Sequence, residues 1–256
     1  MSGASKGVGR AAAISFVKAG VAAIAIAARS DLSSLEREMQ EAAIAAGKPV
    51  PHIESIHLDI LDLQSVERAA QITSDAFGRL DVLINNAGAM EVFESTLDSN
   101  PDQWWQTWTV NVRGTFLLTR ALLHLMLKGG DKQIVMLTSI GAFMPTSGGS
   151  GYQISKLALL RYTDYLNIEY GAQGVVAYGL HPGAIPTDIG LTMPRFLHAK
   201  LIDKPELAAD TMVFLVSEKR EWLRGRYISC TWDMPEFLEK REEIVSEDKL
   251  KMKLVL

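Results

Sequence analysis

The chain has 256 residues, 48% of them hydrophobic, and a formal net charge of −4. So mild a balance, without long runs of one sign, argues against nucleic acid as a main partner. A single cysteine, Cys230, excludes an intrachain disulfide framework and fits a reducing compartment. No signal peptide and no uninterrupted apolar run of membrane-spanning length is legible, so a cytoplasmic protein without a membrane partner is expected.

The opening MSGASKGVGR spaces Gly3, Gly7 and Gly9 as G-x-x-x-G-x-G and runs into an alanine-rich helix, AAAISFVKAG (11–20). Glycines in that arrangement let backbone N–H groups approach a pyrophosphate at a helix N-terminus. The apolar run VAAIAIAA (21–28) reads as a buried strand. SSLEREMQEAAIAAG (33–47) reads as an amphipathic helix closed by Gly47, and HIESIHL (52–58) as the next strand. SVERAAQITSDAF (65–77) is helical, DVLIN (81–85) is a strand, and 101–128 is one long helix with Pro101 in its first turn. KQIVMLTS (132–139) is a strand, 152–171 a second long helix, VVAYGLH (175–181) a strand, 206–217 a helix and RYISCTW (226–232) the last strand. Apolar strands alternating with helices imply a single-domain α/β fold, a doubly wound parallel sheet covered on both faces. Two regions fit the alternation poorly. One is 184–204, with Pro186 and Pro194, expected to form a lid. The other is the charged tail 235–256, expected to be a solvated surface helix ending in an apolar anchor or a subunit contact.

The end of the second strand of such a sheet selects the cofactor. An acidic residue there would bond a ribose 2′-OH. The chain instead reads A-A-R-S, so Arg29 and Ser30 offer a guanidinium and a hydroxyl suited to a 2′-phosphate, with Lys6 adding a second charge. NADP(H) is therefore expected in preference to NAD(H).

In GYQISK, Tyr152 and Lys156 lie four residues apart and share a helix face. A free phenol has a pKa near 10, and a neighbouring ammonium lowers it toward a working range. Ser139 closes a strand thirteen residues earlier, where a hydroxyl could polarise a carbonyl. Asn85-Asn86-Ala87-Gly88 follows another strand, and Asn111 sits in mid-helix, where asparagine is unusual.

These motifs, in this order, resemble the short-chain dehydrogenase/reductase superfamily: S-G-x-x-x-G-x-G, Asp59 in LDI, N-N-A-G, Asn111, Ser139, Y-x-x-x-K and P-G-A-I-P-T. The resemblance covers nearly the whole chain. It implies that Tyr152 is the acid in carbonyl reduction and the base in alcohol oxidation. Lys156 would lower the Tyr152 pKa and bond the nicotinamide ribose. Ser139 would hold the substrate oxygen, and Asn111 a water relaying protons to Lys156. Gly3, Ser5, Lys6, Gly7, Val8 and Gly9 would cradle the pyrophosphate. Asp59 and Ile60 would face the adenine, Asn86, Ala87 and Gly88 would line the adenosine ribose, and Pro182, Gly183, Ile185 and Thr187 would frame the carboxamide. The resemblance further implies strand order 3-2-1-4-5-6-7, a homodimer or homotetramer, and a small carbonyl or alcohol substrate. The chain's ending resembles fungal members, many of them in secondary metabolism. A cofactor binder without turnover, and a dehydratase or epimerase on the same scaffold, stay open as alternatives.

No metal is expected, since His52, His57 and His124 lack ligand spacing. His181 is expected to be a satisfied strand-end residue. Trp104, Trp105 and Trp108 are assigned to core or subunit interface. Leu191, Met193, Phe196 and Leu197 could wall an apolar pocket or pack within the lid, and His198 or Arg195 could meet a polar group. Family members carry a first strand before the glycine turn, and here only Met1 represents it. Without that strand two ladders of backbone groups would face each other unpaired, at roughly 1–3 kcal/mol per buried group. The expectation is a reading that starts late, at an internal methionine or an altered gene start. The competing reading is a genuine chain, with its neighbouring strands closing the gap or the protein impaired.

Overall fold

The computed structural model describes residues 1–254. Val255 and Leu256, the last residues of the expected apolar anchor, lie outside the described residues. Among the described residues six strands alternate with helices: β1 (Ala23–Ala28), β2 (His52–His57), β3 (Val82–Asn85), β4 (Gln133–Leu137), β5 (Val176–His181) and β6 (Tyr227–Ser229). All pairings are parallel. The pairs form a β1–β2 unit and a β3–β4–β5–β6 unit.

Between β1 and β3 stand Met1 and Ser2. Ala27 N–H donates to the Met1 carbonyl at 3.0 Å, Ala4 N–H to the Ala27 carbonyl at 3.2 Å, and Ser2 N–H to the Ile84 carbonyl at 3.1 Å. The Met1 amino group donates to the Ala25 carbonyl at 2.8 Å. Two residues thus bridge the units in the order β2–β1–(Met1–Ser2)–β3–β4–β5–β6, which corrects the expectation of unpaired facing ladders only beside Met1 and Ser2. A narrow slot remains beside them, walled by Ala25, Ile56, Leu80, Val82, Leu83 and Leu118.

Successive strand residues point to opposite faces, and the core divides accordingly. Ile84, Val135, Val176 and Tyr178 pack under α1 (Gly7–Ala19) and α7 (Pro205–Val216). Leu83, Ile134, Met136 and Ala177 pack under α3 (Leu63–Phe77), α5 (Thr115–Lys128) and α6 (Ser150–Tyr170). Helix α2 (Ser33–Ala45) buries Leu35, Met39 and Ala43 against β1 and α1. Apart from the edge strand β2, which is polar and partly exposed, the strands are buried on both faces and have no polar side to alternate with, which explains their continuous apolar runs.

Three expectations about elements need correction. The helix over 101–128 is not continuous. Helix α4 (Pro101–Trp108) passes into a π-helical stretch, Thr109–Gly114, before α5 begins. The wide turn holds Asn111, fully buried, with its side chain drawn to the Ala89 backbone. The tail is not a solvated helix either. It forms α8 (Met234–Glu239) and α9 (Arg241–Ser246), whose Phe237 and Ile244 enter the core, and the Leu250 carbonyl accepts from Tyr227 N–H at 2.8 Å. The last strand stops at Ser229, where the hydroxyl of that residue turns to accept from Thr231 N–H.

Candidate active site

The glycine turn, N-N-A-G, the end of β4, the start of α6 and the P-G-A-I-P loop gather at the carboxyl ends of the strands. In open α/β sheets that edge is where ligands bind. Asn86 stitches the first two together: its Nδ2 donates to the Ser2 and Gly3 carbonyls, each at 3.0 Å. The buried Ser2 hydroxyl accepts from the amides of Asn86 and Ala87 at 3.2 and 3.1 Å. Gly3 holds φ +66°, and a Cβ there would lie 2.9 Å from the Ala87 Cα. A Cβ on Gly9 would lie 2.2 Å from the Gly3 carbonyl oxygen. These are positions for glycine alone.

Helix α1 starts at Gly7 without a side-chain cap and without an acidic residue in its first turn. Its first amides are therefore open to an anion. The small cradle and open helix terminus fit the diphosphate of a dinucleotide. Arg29 and Ser30, at the end of β1, are exposed, and Arg29 makes no ion pair among the described residues. Lys6 differs from the expectation, since it is paired with Asp188 across the turn rather than held beside Arg29. Asp59 caps its own turn, accepting from Leu61 N–H at 3.0 Å, while Ile60 is buried against Gly114.

At the far end of the cleft, Thr187 lies against Gly7: a Cβ on Gly7 would be 3.1 Å from its methyl group. Pro182, Gly183 and Ile185 form the loop behind it. That loop is fastened by Asp203, a residue the sequence reading passed over. Its Oδ2 accepts from Ala184 N–H at 2.7 Å, and its own N–H donates to the Ala184 carbonyl at 3.0 Å. The lid itself is two short 3₁₀ turns. Phe196 is 76% exposed and Leu191 half-exposed, so neither walls a pocket here. His198 Nε2 is engaged with the Met193 carbonyl at 2.7 Å, which removes it as a free polar contact.

Between these ends lie Ser139, Tyr152 and Lys156. Ser139 follows β4 and its Oγ accepts from Gly141 N–H at 3.1 Å. Lys156 is buried, its Nζ 5.5 Å from the Tyr152 ring centroid and donating to the Leu137 carbonyl at 2.7 Å. Burial pushes the Lys156 ammonium down to about 8. Burial also pushes the Tyr152 phenol up to about 12; the Ser139 hydroxyl pulls it down and the Glu91 charge pushes it further up. Desolvation thus outweighs the lowering that the Tyr-x-x-x-Lys spacing suggests. Asn111 is locked, with Oδ1 accepting from Ala89 N–H at 2.8 Å and Nδ2 donating to the Ala89 carbonyl and to Ser155 Oγ, both at 2.9 Å. A Cβ on Gly88 would touch both Asn111 Oδ1 and Lys156 Nζ, at 3.3 and 3.5 Å.

His181 is buried, but its Nδ1 has no partner, so it is not the satisfied residue expected. Its ring stacks on Tyr227, with centroids 6.4 Å apart. Cys230 is a buried core thiol, pushed up to about 12 chiefly by burial. Trp104 stacks between Trp105 and Trp108 and donates to Ser150 Oγ at 3.1 Å, while Trp105 is 64% exposed.

Comparison with known proteins fits this architecture. A family model described as short chain dehydrogenase matches residues 1–195. The chain is similar to the short chain dehydrogenase citE of Monascus ruber, 49% identical over all of this chain and 88% of that protein. It is similar to the short chain dehydrogenase pigC of the same organism, 46% identical over all of this chain and 85% of that protein. Among solved structures, an alcohol dehydrogenase from Thermococcus sibiricus complexed with 5-hydroxy-NADP superposes with a TM-score of 0.76. It is 26% identical, over 90% of this chain and 93% of that one. The family model, the full-length relatives and the shared architecture agree, and the chain belongs to the short-chain dehydrogenase family of oxidoreductases that bind a nicotinamide cofactor.

Proposed function

We propose that this chain is an NADP(H)-dependent oxidoreductase acting on the ketone or secondary alcohol of a small, largely apolar organic substrate. The observation that carries the reading is the convergence of Ser139, Tyr152 and Lys156 on the sheet edge that also bears the glycine cradle. The cofactor, when bound, supplies or accepts the hydride. Ser139 Oγ holds the substrate oxygen in place. Tyr152 Oη gives its proton to that oxygen during reduction and takes it back during oxidation. Lys156, already aimed into the site from its anchor on the Leu137 carbonyl, bonds a ribose hydroxyl and steadies the developing phenolate. Asn111 keeps Ala89 and Ser155 in register beneath Lys156.

The preference for the 2′-phosphate rests on Arg29, an exposed cation at the end of β1 that makes no ion pair among the described residues. Lys6 can join it by leaving its exposed pairing with Asp188, a contact of little energetic weight. The reading extends to fungal secondary metabolism, a cytoplasmic location and a homo-oligomer. The last is supported by exposed Phe116 on α5 and exposed Tyr165 and Ile168 on α6, adjacent helices joined by the Phe116–Tyr162 ring contact. No helix among the described residues is long and apolar enough to cross a membrane.

The test is NADPH oxidation across a panel of ketones, with NADH in parallel, by the parent chain and by Arg29→Ala. The parent turns over at least one ketone faster with NADPH, and Arg29→Ala loses about tenfold or more of that preference, the value of one charge-assisted contact. Equal rates with both cofactors in parent and variant would refute the cofactor assignment. No turnover of any ketone or alcohol by a folded, NADPH-binding parent would refute the reaction.

A further inference from the structure

Three residues beyond Gly88, the loop after β3 carries a carboxylate that none of the family motifs include. Glu91 is only 5% exposed. Carboxylates are rarely buried so deeply unless something holds them. Here Oε1 accepts from the Tyr152 amide at 2.9 Å. Tyr152 is the third residue of α6, and Gly149 before that helix supplies no side-chain cap. The first amides of a helix have no partner within it, and the helix dipole favours negative charge beside them. Glu91 meets both demands from a different element. The approach is possible because residue 151 is glycine: a Cβ there would lie 2.9 Å from the Glu91 carboxyl carbon. The second oxygen, Oε2, is buried with no hydrogen-bond partner among the described residues.

Resting on the reading of Tyr152 as the proton donor, we propose that Glu91 is a positioning residue for the reaction: from the loop after β3 it caps the first turn of α6, pins the Tyr152 backbone and sets a carboxylate beside the residue that bears the phenol. Among the described residues, the charged and titration-relevant groups facing Tyr152 are Lys156 from the next turn of α6, Ser139 from the end of β4, and Glu91 from the loop after β3. The first two favour the phenolate and Glu91 opposes it, which is the direction of its effect in this structure. The consequence is a phenol that stays protonated at neutral pH, with a proton affinity set by the balance of these groups against burial.

Glu91→Gln separates the two parts of the role, since the amide oxygen can still accept from Tyr152 N–H while the charge is gone. Fluorotyrosine placed at position 152, whose phenol is more acidic, gives a fluorine NMR signal that titrates with that residue alone. Loss of the charge lowers its midpoint by about one pH unit, the size of one screened neighbouring charge. In a parallel assay the limb of the pH–rate profile governed by the phenol moves down by the same amount. If Glu91→Gln does not fold, Glu91→Met, with no unpaired donor, makes the same prediction. A folded variant whose midpoint stays or rises overturns the proposal. The fluorine measurement needs no turnover, so a parent inert toward every ketone would sink the proposed reaction while the charge effect was still decided.

Discussion

Replacing Gly9 by alanine tests whether the glycine turn and N-N-A-G form one rigid unit. The added methyl would sit 2.2 Å from the Gly3 carbonyl oxygen and 2.5 Å from Asn86 Nδ2. Relief requires the Gly3 carbonyl to retreat by about 1 Å to ordinary contact. Gly3 has little room to yield, because its own Cβ direction already meets Ala87 Cα at 2.9 Å. Overpacking of this kind costs about 1–3 kcal/mol, and losing the two Asn86 hydrogen bonds adds about 1 kcal/mol each. A total of about 3–5 kcal/mol lowers the melting temperature by roughly 6–20 °C for a chain of this size. The assay is thermal and urea unfolding followed by tryptophan fluorescence, with and without NADPH. At about 100 times its dissociation constant the cofactor adds roughly 2.7 kcal/mol to the parent, and in Gly9→Ala that increment disappears. Gly171→Ala is the control, because its backbone is helical at φ −61° and nothing lies within 4 Å of its Cβ. A Gly9→Ala protein that melts with the parent and gains as much from NADPH would refute the argument.

Tyr152→Phe should lower turnover by about a hundredfold or more while NADPH binding persists, since only the proton donor is removed; steady-state kinetics beside a binding titration checks this. Lys156 is depressed from 10.5 to about 8, so the unfolded chain holds the extra proton across that interval. Its contribution to stability is present at alkaline pH and lost as pH falls through about 8, and urea midpoints between pH 8 and 10 should show a slope that Lys156→Met flattens. His181 is depressed from 6.5 to about 4, chiefly by burial. Stability should therefore drop by up to about 3 kcal/mol as pH falls from 6.5 toward 4, and the difference between parent and His181→Phe in acid unfolding should follow that window.

The fold was legible because its signals are local and redundant. Each buried strand is a short apolar run bounded by glycine, proline or asparagine, and parallel strands have no reason to alternate. The expected strands and helices therefore fall on the observed ones within a few residues, from Ala23–Ala28 to Pro205–Val216. The π turn at Asn111 was not legible, because it depends on a partner in another element, the Ala89 backbone. The buried tail was misread for a related reason. Phe237 and Ile244 are spaced seven apart among charges, which reads as a solvated face until the core that receives them is known.

The same distinction divides the site. Side chains whose chemistry is rare in its context, such as Tyr152 four residues before Lys156, announce themselves in one dimension. Side chains that support them do not. Asp203 holds the P-G-A-I-P loop from nineteen residues beyond Ala184, and the Ser2 hydroxyl holds Asn86 and Ala87 from the start of the chain. Both belong to ordinary residue types at unremarkable positions, and their roles come from carbonyls and amides that the sequence string does not show. The phenol illustrates the cost of the omission. Spacing alone predicts that Lys156 lowers its proton affinity, whereas the folded chain adds desolvation and the Glu91 charge, and these win. Proton affinity at a buried site is the sum over every element that packs there. A motif names the participants, and the packing sets the sign.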